Sequence, residues 1–375
     1  TFEVISAIGT VGCTKGLTPT ICIASKIIIM TLMFGGRVGG LWFILSLAEK
    51  INLFKKLDST KELAILSIEE ISCFCNREIK RAVWNGMERL AATEKEVALL
   101  KAKGIKGVTY SDALYPALLR ETSNAPFVLF YYGDISILGE RTVSVVGTRH
   151  ITPEGREGAV AFAKDACLDG VTVVSGLAAG VDAAAHTGSV QAFYYAQEKG
   201  IDVGVVGKTC AVLPCGCDAV VPSTNRKLAE SIIKTGGCII SEYVPGVPSE
   251  KWRFVQRNRI IAALSPSTVV VQAPDGSGAL ITAQFALEYN RDVAFHKSCF
   301  CKNADVVGKY LHSKLETQLA LGQISKSKIE NTCAKYIECG APVIEDYKDY
   351  CRFRMEKPGE RHCKIKENGQ LELSI

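Results

Sequence analysis

Between Arg141 and His186 the chain repeats one unit twice: a short β-branched run, a glycine-containing loop and a helix-forming segment. The runs are Thr142 to Val146 and Val171 to Val174, and the loops open with Gly147-Thr148-Arg149 and Ser175-Gly176. Short Val-rich strands alternating with helices predict a doubly wound, mostly parallel α/β sheet covered on both faces. Ligands of such a sheet sit at the carboxyl ends of its strands. The residues there offer backbone N–H groups, small hydroxyls and one cation, a chemistry suited to phosphate oxygens.

At 375 residues there is room for two or three domains. Charged residues make up 22% and apolar ones 47%, ordinary for a soluble α/β protein. The net charge of +5 permits a polyanion partner only where basic side chains cluster. Fifteen cysteines, scattered over apparent strands and helices, point to a reducing, cytoplasmic setting. The nearest pairs, Cys73/Cys75, Cys215/Cys217 and Cys299/Cys301, have C-x-C rather than C-x-x-C spacing, so no metal site is expected.

Residues 1–47 differ from the rest. Gly9 to Gly12, the apolar run Ile27 to Phe34 and Gly35-Gly36-Arg37-Val38-Gly39-Gly40 make a poor signal peptide and a poor membrane span. Residues 48–107 are charged and helical in pattern, with a capping box at Ser67-Ile-Glu-Glu70. Pro116 and Pro126 then interrupt a bridging segment that ends in a strand, Val128 to Tyr132. Beyond the opening unit, further strands are expected at Thr209 to Leu213, Cys238 to Ser241, Ser267 to Gln272 and Asp292 to Phe295, while residues 189–206 stay unassigned. Pro222-Ser-Thr-Asn225 is expected to cap a helix from Arg226 to Lys234.

Candidate site residues lie in the loops after these strands. Gly180 closes the second loop, and Asp182 and His186 share one face of the helix behind it. Two helical positions cannot complete a metal site, so this pair reads first as structural, with a ligand-facing role as the alternative. Gly204-Val-Val-Gly207-Lys208-Thr209 is not a P-loop, because Asp202 stands where the first glycine belongs. Lys251-Trp-Arg-Phe254 is an aromatic-basic run just upstream of Arg257-Asn258-Arg259, which is expected at the start of an apolar helix. The two arginines, two positions apart, lie on different sides of that helix, so at least one faces inward and needs an anion. Ser277-Gly278 enters a further helix whose N-terminus suits phosphate. No G-x-G-x-x-G follows the first strand, which argues against a dinucleotide enzyme.

Taken in order, Tyr115-Pro116, Val146-Gly-Thr-Arg149, Ser175-Gly-Leu-Ala-x-Gly-x-Asp182-x-x-Ala-His186, Ser241-Glu-Tyr243, Arg257-Asn-Arg-Ile-Ile-Ala262 and Ser277-Gly-x-Leu-Ile-Thr282 resemble the DprA/Smf family of DNA-processing proteins. The resemblance covers about Leu63 to Tyr347. It implies a small helical domain of the sterile-alpha-motif type at 48–107 and an extended Rossmann-like domain at 108–351, followed by a charged tail at 352–375. The implied function is non-catalytic: binding and protecting single-stranded DNA and promoting loading of the RecA recombinase in transformation and recombination. The implied partners are single-stranded DNA and RecA, with a homodimer compatible, and no cofactor. Carried over, the DNA-binding set is Gly147, Thr148, Arg149, Ser175, Gly176, Gly180, Asp182, His186, Lys251, Arg257, Asn258, Arg259, Ser277 and Gly278. With about three phosphate contacts the log-log salt slope would be roughly −2.

The chain departs from the family at Ala179, where a Lys or Arg is common, and at an inserted polar helix, about Ala304 to Lys328, within 299–330. The rival reading is a nucleotide-cleaving phosphoribohydrolase of the lysine-decarboxylase-like group, marked by P-G-G-x-G-T-x-x-E. Here that register places Thr282 at the catalytic glutamate. Residues 1–47 separately resemble the last pore loop and final helix of Trk/Ktr potassium transporters, and any membrane association would run through them alone.

Overall fold

The computed structural model describes residues 66–70 and 86–356; the transporter-like stretch, much of the expected helical domain and the end of the charged tail lie outside the described residues. The Ser67–Glu70 capping box is present, with Ser67 Oγ accepting from Glu70 N at 3.1 Å and Glu70 Oε2 accepting from Ser67 N at 2.7 Å.

From residue 86 the elements are α1 (Gly86–Ala102), β1 (Lys106–Thr109), α2 (Ala117–Arg120), β2 (Val128–Gly133), β3 (Thr142–Gly147), α3 (Pro153–Leu168), β4 (Thr172–Ser175), α4 (Val181–Glu198), β5 (Thr209–Val212), α5 (Arg226–Lys234) and β6 (Cys238–Ser241). They continue as α6 (Lys251–Ala263), β7 (Ser267–Gln272), α7 (Gly278–Glu288), β8 (Asp292–His296), α8 (Lys302–Ala320), α9 (Lys326–Ile329), α10 (Cys333–Glu338), β9 (Val343–Ile344) and α11 (Tyr347–Met355). The nine strands form one sheet ordered β1-β2-β6-β5-β4-β3-β7-β8-β9. Pairing is parallel from β6 through β9 and antiparallel only where β2 meets β1 and β6. The doubly wound expectation therefore holds, with an antiparallel edge supplied by the bridging segment.

Alternation within the strands divides the core between two faces. Val143, Val145 and Val269 turn to one face and pack with Phe162 of α3 and Tyr347 and Tyr350 of α11. Val146 and Val270 turn to the other and meet Ile260 and Ile261 of α6 and Leu280 of α7. Both tyrosines of α11 lie edge-on to Phe162, at 5.6 and 5.5 Å between centroids. That helix continues to Met355 with Phe353 buried, past the expected start of the tail at 352. The unassigned residues 189–206 belong largely to α4, which packs closely on α3 because Gly188 has no Cβ to collide with the Val160 carbonyl. Thr152 caps α3 by accepting from Gly155 N at 3.2 Å, and Pro153 follows in the first turn. Among the described residues, no helix is long and apolar enough to cross a membrane.

Candidate functional site

Strand order reverses at β3, which has β4 on one side and β7 on the other. This is the switch point at which an open α/β sheet leaves a crevice. There the two glycine loops interlock. Thr148 N donates to Gln272 O at 2.7 Å, and Val181 N donates to Thr148 O at 3.1 Å. Gly180 sits at φ +84°, a left-handed conformation that glycine adopts freely, and a Cβ on it would strike the Thr148 carbonyl and the Arg149 backbone. The loops thus form one surface from which Arg149 projects into solvent, its guanidinium 4.7 Å above the ring of Phe254 in α6. That is within cation–π range.

Below that surface the second loop is committed to the protein. Ser175 Oγ is fully buried and donates to Val145 O at 2.6 Å, so its hydroxyl does not face a ligand. Asp182 is buried and accepts from Ala178 N at 3.4 Å; burial raises its pKa against the opposing pull of Arg257. His186 has no exposed surface, and its Nδ1 meets Thr209 Oγ1 at 2.7 Å. Burial, helped by the Arg257 charge, pushes its pKa down to about 3 and keeps it neutral. His186 therefore moves from the DNA-contact set to the core, as the shared helix face with Asp182 had first suggested. The expected Asn225 cap also differs. Its side chain makes no cap bond and instead donates to Leu177 O at 2.9 Å and Ala178 O at 3.3 Å, bracing this same loop.

The arginine cluster requires the largest correction. α6 begins at Lys251, so Arg257 and Arg259 lie well inside it, 3% and 7% exposed. Arg257 Nη1 donates to Gly176 O at 2.6 Å and also to Val212 O, bridging the ends of β4 and β5. Gly176 is glycine for this reason: a Cβ would overlap the guanidinium. Desolvation lowers the Arg257 pKa to about 10, which leaves it charged at neutral pH. Arg259 pairs with the buried carboxylate of Glu242 and donates to Asn124 O at 2.7 Å. Both arginines face inward with their anion or carbonyl already supplied, so neither forms a solvent-facing basic wall. Asn258, between them, is partly exposed and donates to Gly278 O at 3.1 Å, tying α6 to α7.

The open side of α6 is its first turn. Lys251 and Trp252 are exposed, and Arg253 is folded back over the rings of Trp252 and Tyr243 at 5.0 and 5.1 Å. The sequence signal for Phe254 and Trp252 was the aromatic-basic run; their partners across the fold, Arg149 and Tyr243, were not legible there.

Past the switch point, Gly278 is exposed at the start of α7, while Ser277 Oγ is buried and makes no cap bond. Gly276 N donates to Asn331 O at 2.9 Å, so the segment after α8 lies against this loop. The expected polar helix is present as α8 and α9. It roofs a 570 Å³ cavity whose lining includes Thr148, His150, Asp275, Asp305, Lys309, His312 and Glu316. Carboxylates outnumber lysines there, with Asp275 on His312 at 2.9 Å and Asp305 on Lys309 at 2.8 Å. This hollow is thus a poor seat for a polyanion, whereas Arg149 and Lys251 stand exposed on the α6 side. Thr282 is buried, its hydroxyl bonded to Gly278 O at 3.2 Å, and supplies nothing in place of a glutamate.

Residues 106–354 match the model of a family described as DNA recombination-mediator protein A. The chain is 35% identical to protein Smf of Synechocystis over 246 residues, covering 64% of this chain and 57% of that protein. It is 35% identical to DNA processing protein DprA of Bacillus subtilis over 198 residues, covering 52% and 62% respectively. The chain thus spans under two thirds of the length of these relatives. The solved structure of DNA processing protein A from Streptococcus pneumoniae aligns with a TM-score of 0.57 at 25% identity, covering 94% of this chain and 97% of that one. A separate 48-residue match, 54% identical, is to the Ktr system potassium uptake protein B of Bacillus subtilis, covering 13% of this chain and 11% of that protein.

Proposed function

The chain belongs to the DNA recombination-mediator protein A family, and from that premise we propose that it is a single-stranded DNA binder that protects DNA strands during processing and hands them to RecA. The observation that carries the reading is the exposed Arg149 guanidinium, held over Phe254 beside the solvent-facing first turn of α6. A cation for phosphate beside an exposed ring for bases, here Trp252, is the usual composition of a single-strand groove. Gly147, Thr148 and Gly180 shape the loop that presents Arg149, and Lys251 adds a second cation. Gly278 lies across the edge, with Asn258 holding it in place. Arg257, Arg259, Ser175, Gly176, Asp182 and His186 serve as the scaffold beneath.

With Arg149 and Lys251 as the two solvent-facing phosphate contacts, the log-log salt slope on single strands is about −1.4. The test is a titration of the full chain with single-stranded and duplex oligonucleotides of one sequence at several salt concentrations. Tighter single-strand binding with that slope supports the proposal. Affinity that ignores salt, or an Arg149→Ala/Lys251→Ala variant that binds as the parent does, sinks it. RecA transfer is tested separately, by the rate of RecA filament formation on strands covered beforehand.

A further inference from the structure

Trp252 is 43% exposed, yet its ring is fixed by its surroundings. The indole Nε1 donates to Glu250 Oε2 at 2.5 Å. The Arg253 guanidinium lies 5.0 Å from the ring centroid, and Tyr243 meets the indole edge to face at 6.5 Å and 86°. Arg253 is in turn anchored by Glu250 at 3.1 Å and by the Pro248 carbonyl. The Tyr243 hydroxyl donates to Gln256 Oε1 at 3.1 Å, one turn along α6 from the indole. A solvent-facing aromatic normally keeps rotamer freedom, which binding would then have to remove. Here that ordering is built into the free protein.

We propose that Trp252 is a base-stacking platform, a subsite distinct from the Arg149 phosphate seat on the same sheet edge. The inference rests on the single-strand reading and specifies how bases, rather than phosphates, are held. Phe254 is half-buried between Arg149 and Arg257, 4.7 and 6.0 Å from its centroid, whereas Trp252 is exposed with Arg253 alone of these arginines near its ring. Tyr243 follows β6 and Arg149 follows β3, three strand spacings apart, or about 14 Å. A strand running along the edge from Arg149 toward β6 therefore brings a later base to the indole. Duplex bases are stacked on one another and do not reach it, so this ring favours single strands. It has no preference among bases, because every base offers a π-face.

The experiment compares oligothymidylate with an abasic oligonucleotide of equal length, using the full chain, Trp252→Ala and Trp252→Phe. The parent is expected to bind oligothymidylate about tenfold more tightly than the abasic strand. Trp252→Ala loses that advantage and keeps the abasic affinity, while Trp252→Phe retains most of it. An alanine variant that binds oligothymidylate like the parent, or that weakens equally on both strands, overturns the platform and leaves the single-strand reading standing. A parent chain that binds neither strand overturns the single-strand reading itself, and the platform with it.

Discussion

Arg149 and Arg257 both approach the ring of Phe254, at 4.7 and 6.0 Å, yet one is exposed and the other is 3% exposed. Arg149 extends from a loop into water and has its hydrogen-bonding edge available to an incoming anion. Arg257 spends its donors on the carbonyls of Gly176 and Val212. The contrast extends to their neighbours: Lys251 and Trp252 belong with the exposed layer, and Asp182, His186, Glu242 and Arg259 with the buried one. On the proposed function, charge in the upper layer supplies affinity, and charge in the lower layer holds the loops on which the upper layer stands. Substitutions in the two layers should therefore fail in different ways.

The largest effect is expected from Arg259→Ala, which leaves the buried Glu242 carboxylate without its counter-charge. Removing one partner of a buried pair costs about 3–5 kcal/mol, read as a lower urea midpoint. Acid pH attacks the same layer through His186. Its folded pKa of about 3 lies below the ordinary 6.5. The unfolded chain therefore binds its proton first, and stability present above pH 6.5 drains away as pH falls from 6.5 toward 3. The raised pKa of Asp182 works in the opposite direction. A His186→Gln variant should show a shallower acid loss of unfolding free energy than the parent, and an unchanged profile would remove His186 from the account.

Gly176→Ala leaves every charge in place and drives a methyl into the Arg257 guanidinium. Overpacking of this kind costs about 1–3 kcal/mol, and it should weaken single-strand binding without changing the salt slope. In the exposed layer, Arg149→Ala should leave the melting temperature unchanged and make the slope shallower by about 0.7. The last expected change is a gain of the same size. Ala179 is exposed at the rim of the second loop, so Ala179→Lys adds a solvent-facing cation there and should steepen the slope by about 0.7.

Much of the fold was legible in the sequence because strand and helix periodicities are local. The limits of β6 and β7 match those expected, and Thr152-Pro153 opens α3 as its capping chemistry dictates. Less of the site was legible. The arginine run is basic in any linear reading, and only the positions of Gly176, Val212 and Glu242 show that both guanidinia are already satisfied. The start of α6 was misplaced because its first turn, Lys251-Trp-Arg-Phe, lacks an apolar face to announce a helix.

The sequence by itself determined the doubly wound sheet, the glycine loops at its carboxyl edge and the family. Those depend on β-branched runs, turn residues and ordered motifs a few positions long. Tertiary structure alone decided which cations meet solvent and which support the loops from beneath. That outcome depends on carbonyls and carboxylates brought together from β4, β5 and the segment after β6, and the periodicity of α6 does not encode them.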